Sequence, residues 1–132
     1  MTSAAPAGKT ILIVEDDDTT RQALGSALQD AGYTAVPVED GRQALDWLWT
    51  HPAPDLILLD MMMPVLDGWL FLQLLKQQGP TIPTPIIIAT AAAVSRELVR
   101  AHGCAGLVQK PIETAHLLQE IQRVLAAPES VS

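Results

Sequence analysis

Four segments of this 132-residue chain end on side chains that could do chemistry together. Ile11-Leu12-Ile13-Val14 runs into Glu15, Asp16 and Asp17, and Leu56-Ile57-Leu58-Leu59 runs into Asp60. Ile86-Ile87-Ile88-Ala89 stops at Thr90, and Ala105–Gln109 stops at Lys110. Carboxylates packed side by side repel and raise one another's pKa unless they share a cation. A hard divalent ion with oxygen ligands resolves that conflict. Mg²⁺ suits a site with two or three protein oxygens, where water or phosphate completes the octahedron. A threonine hydroxyl and a lysine ammonium are groups that hold a phosphoryl oxygen. Around such a site Asp60 is placed to act as nucleophile and become an aspartyl phosphate. Transfer would be in line, with Mg²⁺ and Lys110 neutralising the equatorial oxygens.

The elements that must position these groups follow from the patterning. The run before Asp60 shows no alternation, which suits a strand buried on both faces of a parallel sheet. Strands are expected at Thr10–Val14, Tyr33–Val38, Leu56–Leu59, Pro85–Ala89 and Ala105–Gln109. Pro37 points the second to a sheet edge. Helices are expected at Thr19–Ala31, after Gly41, at Trp69–Gln78, Val94–His102 and Glu113–Ala126. Their apolar faces are Ala23, Leu24, Ala27 and Leu28; Ala44, Leu45 and Leu48; Leu70, Phe71, Leu74 and Leu75; and Leu117, Leu118, Ile121, Val124 and Leu125. Strand and helix alternate five times. Crossovers of this length imply parallel strands, right-handed connections and helices on both faces. The expected fold is α/β, a three-layer doubly wound (βα)5 flavodoxin-like sandwich with strand order 2-1-3-4-5. Its ligands belong at the carboxyl ends of the strands, where Asp60 stands. One domain is expected over residues 9–127, between a loose tail at 1–8 and another at 128–132.

Composition narrows the function. Apolar residues make up 48% and charged residues 17%, a globular balance. The formal charge of −7 argues against a nucleic-acid surface. No apolar run approaches the ~20 residues of a membrane span, and the N-terminus lacks a signal h-region. The single Cys104 suits a reducing cytoplasm and reads as a packing residue. Asp67-Gly68 reads as a turn, Asp17 and Asp18 as helix N-terminal acids, and Met61, Met62 and Met63 as loop packing rather than a soft-metal site. His51, His102 and His116 are scattered, with no catalytic pattern. Trp47 and Trp49 flank the apolar face of the second helix, and an exposed indole there could anchor a partner.

Four motifs, one at each strand end, carry a resemblance. Ile-Leu-Ile-Val-Glu-Asp-Asp, Leu-Leu-Asp-Met-Met-Met-Pro-Val-Leu-Asp-Gly, Pro-Ile-Ile-Ile-Ala-Thr-Ala and Val-Gln-Lys-Pro-Ile occur in that order. Over Lys9 to Ala127 the chain resembles the receiver domain of two-component response regulators. The resemblance implies that Asp60 is the phosphoacceptor, loaded by a sensor histidine kinase or a histidine phosphotransfer protein. It implies a metal site of Glu15, Asp16, Asp60 and the backbone carbonyl of Met62, holding Mg²⁺ or, alternatively, Mn²⁺. Thr90, Ala91 and Lys110 would bind the phosphoryl group, Thr90 and Leu107 would form the switch, and the Lys110-Pro111 bond would be cis. Such a module is a cytoplasmic signalling switch, not an enzyme beyond assisting its own phosphorylation and dephosphorylation. Its output would be a downstream protein effector or a second copy of itself as a homodimer, with no nucleic acid and no membrane.

The chain departs from the family pattern in four places. Glu15 stands where Asp is commoner, Leu107 stands where many receivers carry an aromatic, and the span from Thr90 to Lys110 is short. Met62 and Ala92, flanking the phosphoryl position, cannot hydrogen-bond an attacking water well, which predicts a long-lived phosphoryl group. The competing readings fare worse. An FMN-binding flavodoxin needs a phosphate loop where this chain has carboxylates, and a haloacid-dehalogenase-type phosphatase needs a second Asp where Met62 stands. A phosphorylation-independent scaffold is the remaining alternative, favoured by the missing aromatic and opposed by the full set of acids, hydroxyl and lysine.

Overall fold

The structure is a computed structural model, and it describes residues 8–61 and 67–126. The five strands are β1 (Thr10–Val14), β2 (Thr34–Val38), β3 (Leu56–Asp60), β4 (Ile86–Thr90) and β5 (Gly106–Gln109). They alternate with α1 (Asp18–Asp30), α2 (Gly41–Thr50), α3 (Gly68–Gln78), α4 (Arg96–Ala101) and α5 (Thr114–Ala126). All pairings are parallel, in the order β2-β1-β3-β4-β5, which is the flavodoxin-like doubly wound sheet.

Alternation along each strand divides the core between two layers. Ile11, Ile13, Leu56, Leu58 and Ile87 face Leu24 and Leu28 of α1 and Leu117, Ile121 and Val124 of α5. Leu12, Val14, Ile57, Leu59 and Ile88 face Ala44 and Leu48 of α2, Phe71 and Leu72 of α3 and Val99 of α4. Burial on both faces is why β3 and β4 read as unbroken apolar runs. Four of the five βα junctions are fixed by a side-chain cap. Asp17, Asp40, Asp67 and Ser95 accept from the backbone N–H of Thr20, Gln43, Leu70 and Leu98, satisfying donors the first helical turn leaves open.

Three expectations are corrected. The inward face of α3 is Gly68, Phe71 and Leu72 with Leu75 half-buried, while Leu70 is 43% exposed. Capping by Asp67 starts the helix at Gly68, and the stripe 68, 71, 72, 75 follows at helical spacing, leaving Leu70 on the outside. Helix α4 is shorter than Val94–His102 because Ser95 caps it, so Val94 packs on the core from outside the helix. In α1, Ala23 lies on the exposed side. The expected tails, apart from Gly8, lie outside the described residues, as does Met62. Among the described residues no helix is long and apolar enough to cross a membrane.

Candidate functional site

Sheet register brings the strand ends together. Val14 pairs with Leu59, so Glu15 stands across from Asp60. Asp60 pairs with Ala89, and Thr90 with Gln109. The next residue, Lys110, donates its backbone N–H to the Thr90 carbonyl at 2.9 Å. The four side chains expected at the site therefore leave adjacent strands at one edge of the sheet. Asp60, Glu15 and Thr90 are each 2% exposed.

Lys110 is the hub. Its Nζ donates to Asp60 Oδ1 at 3.0 Å and to Glu15 Oε1 at 3.2 Å, while Glu15 Oε2 accepts the Asp17 N–H at 3.2 Å. Glu15, Asp16 and Asp60 each offer one oxygen within 4.8 Å of the others, so they form an acidic cluster that can hold a metal ion. The donor set is all carboxylate, the chemistry of a hard divalent cation. Thr90 Oγ1 accepts the Ala92 N–H at 3.0 Å, which tethers the start of the β4–α4 loop, and Ala91 is exposed in that loop. The Lys110-Pro111 peptide is cis. Leu107 is half-buried in β5.

The electrostatics show a site with too much negative charge for its one ammonium. Burial raises the Glu15 pKa, and repulsion from Asp60 adds to it against the pull of the Asp17 N–H and Lys110. Asp16 is raised by desolvation, by a hydrogen bond to Asp60 and by the Asp60 charge. Burial alone would lower Lys110, but its bonds to Asp60 and the charge of Glu15 outweigh this and raise it. Asp17 is held low by its hydrogen bonds from Thr20, which fits a helix cap rather than a member of the cluster.

Two residues bear on this region without a sequence signal. Arg21 donates to the backbone carbonyl of Glu15 at 3.0 Å and pairs with Asp18, holding the acidic loop against α1. The sequence offers no spacing that singles it out; only the contact with the loop reveals it. Glu120 is buried on α5, bonded to the backbone of β5 and to Arg96 of α4. Its place beside Leu117, Ile121 and Val124 in the inward stripe was legible, but its partners were not.

The family model for the response regulator receiver domain matches residues 11–122. This chain belongs to that family. Receiver domains are the signalling modules of two-component systems. Its relatives include the alkaline phosphatase synthesis regulator SphR of Synechococcus elongatus, 31% identical over 131 residues. That match covers 93% of this chain and 51% of SphR, so the chain spans about half the length of that relative. The polar-differentiation response regulator DivK of Brucella anthropi is 30% identical over 119 residues, covering 89% of this chain and 96% of DivK. Among solved structures, the receiver domain of the sensor histidine kinase PA1611 from Pseudomonas aeruginosa superposes with a TM-score of 0.79 at 32% identity. The superposition covers 92% of this chain and 100% of that one, and that receiver holds a magnesium ion in its active-site cleft.

Proposed function

We propose that this receiver is a Mg²⁺-dependent phosphoacceptor in a two-component phosphorelay, with Asp60 as the residue phosphorylated. The observation that carries the reading is the placement of Lys110 Nζ between Asp60 and Glu15, beside Asp16. Glu15, Asp16 and Asp60, with the backbone carbonyl of Met62, would hold Mg²⁺ (or Mn²⁺), which supplies charge neutralisation for an incoming phosphoryl group. The magnesium in the PA1611 cleft supports that assignment. An Asp60 carboxylate oxygen forms the new O–P bond as the P–N bond to the donor histidine breaks. Lys110 then exchanges its bond to Asp60 for one to a phosphoryl oxygen. The Thr90 hydroxyl and the Ala91 N–H take the remaining oxygens. Movement of Thr90 and of the β5 segment carrying Leu107 biases the surface read by a partner.

The donor is a sensor histidine kinase or a histidine phosphotransfer protein, in the cytoplasm, and the receiver is a substrate rather than an enzyme. Output goes to a protein effector or a second copy of this chain. With Met62 and Ala92 flanking the acyl phosphate, its half-life is expected to run to minutes or longer. Met62→Asn, which supplies a water-binding side chain, should lose label no more slowly than the parent. A parent half-life of seconds contradicts this.

The deciding experiment adds beryllofluoride and Mg²⁺ and records backbone amide shifts, with Asp60→Asn as control. Shifts at Thr90, Leu107 and Lys110 that are absent in the control are expected. Identical spectra before and after addition would refute the phosphoacceptor reading and leave a phosphorylation-independent scaffold.

A further inference from the structure

An open parallel sheet has two edges, and each is a template for strand addition. On β2, Thr34 N–H and Val38 C=O both bond β1, so alternation turns Pro37, which has no N–H, toward the open side. On β5, Lys110 N–H bonds β4, so alternation turns Val108 toward β4 and Leu107 toward the open side. β5 has no proline. Its open edge carries the Ala105 C=O and the Leu107 N–H, on either side of Gly106, and beyond them the Leu107 C=O and the Gln109 N–H.

In a parallel ladder, a neighbouring residue opposite position i accepts the N–H of i+1 and donates to the C=O of i−1. Two side chains of α5 do this around Gly106. Glu120 Oε2 accepts the Leu107 N–H at 2.9 Å, and Arg123 Nη2 donates to the Ala105 carbonyl at 3.0 Å. The two are locked to each other by Arg123 Nε on Oε1 at 3.1 Å and Nη2 on Oε2 at 2.9 Å. Arg96 of α4 adds a third cationic partner contact at 3.0 Å. Gly106 permits the approach, since a Cβ there would lie 2.6 Å from Glu120 Oε2. We propose that the Glu120–Arg123 pair is a side-chain substitute for one residue of a sixth strand, blocking the edge of β5 at Gly106 against strand addition by a second copy of this chain. The position itself argues for a dedicated role. Leu117, Ile121 and Val124 surround it on the inward stripe, where an apolar residue would pack without the desolvation cost of a charge.

Amide hydrogen exchange on the full chain tests this, because a general loss of stability would speed Leu107 and Val108 together. In Glu120→Ala the Leu107 amide should exchange at least ~30-fold faster while Val108 changes less than ~3-fold, as expected for local rather than global opening. That exchange is read in dilute solution; at about tenfold higher concentration the variant should sediment as a larger species than the parent, with Leu107 exchange slowed again by the added strand. Should Glu120→Ala fail to fold, Arg123→Met frees the Ala105 carbonyl and leaves Glu120 bonded to Arg96 and to the Leu107 N–H. It should raise the sedimenting mass with Leu107 still protected. Equal acceleration of Leu107 and Val108, or variants that sediment as the parent does, overturns the proposal.

Discussion

At the scale of single residues, the acidic cluster costs the folded chain stability at neutral pH. Glu15 and Asp16 both have raised pKa values, chiefly from burial, and a carboxyl raised in the folded state opposes folding at neutral pH. Asp16→Asn removes one repelling charge, so in EDTA the variant should melt higher than the parent by ~2–5 °C, as expected for a change of about 1 kcal/mol or less in a domain this size. In excess Mg²⁺ the order should reverse, because the parent gains binding energy that the variant cannot; differential scanning calorimetry with and without the metal checks both. Tyr33 makes the opposite point. Its hydroxyl is buried with no hydrogen-bond partner among the described residues, and burial raises its pKa. Tyr33→Phe should therefore be neutral or stabilising by up to about 1 kcal/mol in urea titrations. The reactive residues were legible because each ends an apolar run at the point where such sheets present ligands. Arg21 and Glu120 were not, because their partners are main-chain atoms of distant segments and no spacing rule encodes those.

At the scale of elements, the alternation of apolar runs and amphipathic stretches was enough to give all ten elements and their order. What it missed was phase and length. From Gly68 to Leu75 only Gln73 is polar, so periodicity could not say which stripe of α3 faces inward; the Asp67 cap decided it, and Leu70 turned outward. Trp49, expected to flank the apolar face of α2, is 60% exposed and donates its indole N–H to the Gln78 carbonyl at 3.2 Å, joining the C-terminal ends of α2 and α3. Helix α5 hides its most consequential residue within a stripe that reads as purely apolar. Burial raises the Glu120 pKa, but bonds from Arg123, the Leu107 N–H and Arg96 outweigh it and bring the group from its ordinary 4.5 to about 2. A carboxyl lowered on folding stabilises above its unfolded pKa, and that contribution is lost as pH falls through the folded value. Acid unfolding should therefore show a fall of up to about 3 kcal/mol between about pH 5 and pH 2. In Glu120→Gln the fall over this range should be smaller by about that amount, as measured by urea titration at stepped pH.

At the scale of the whole molecule, the two core layers hold the sheet rigid, and the charge left unbalanced is gathered at one end of it. The cluster of Glu15, Asp16 and Asp60 against the single Lys110 leaves net negative charge that the fold does not neutralise internally. Any ion that binds the folded chain and not the unfolded one stabilises it by mass action, by about 2.7 kcal/mol at a concentration 100 times Kd. The ligands must be deprotonated to bind, so protons compete with the metal. Because Glu15 and Asp16 are raised, that competition reaches to higher pH than it would for ordinary carboxylates. The Mg²⁺-induced rise in Tm should thus be small at pH 5, grow toward pH 7.5 and vanish in Asp60→Asn at every pH. Ca²⁺ at equal concentration should stabilise less, since a cluster of three carboxylates offers too few ligands for an ion that prefers six to eight. A Tm shift independent of pH, or one that survives in Asp60→Asn, would place the ion elsewhere on this acidic chain and separate metal binding from the site that Lys110 holds together.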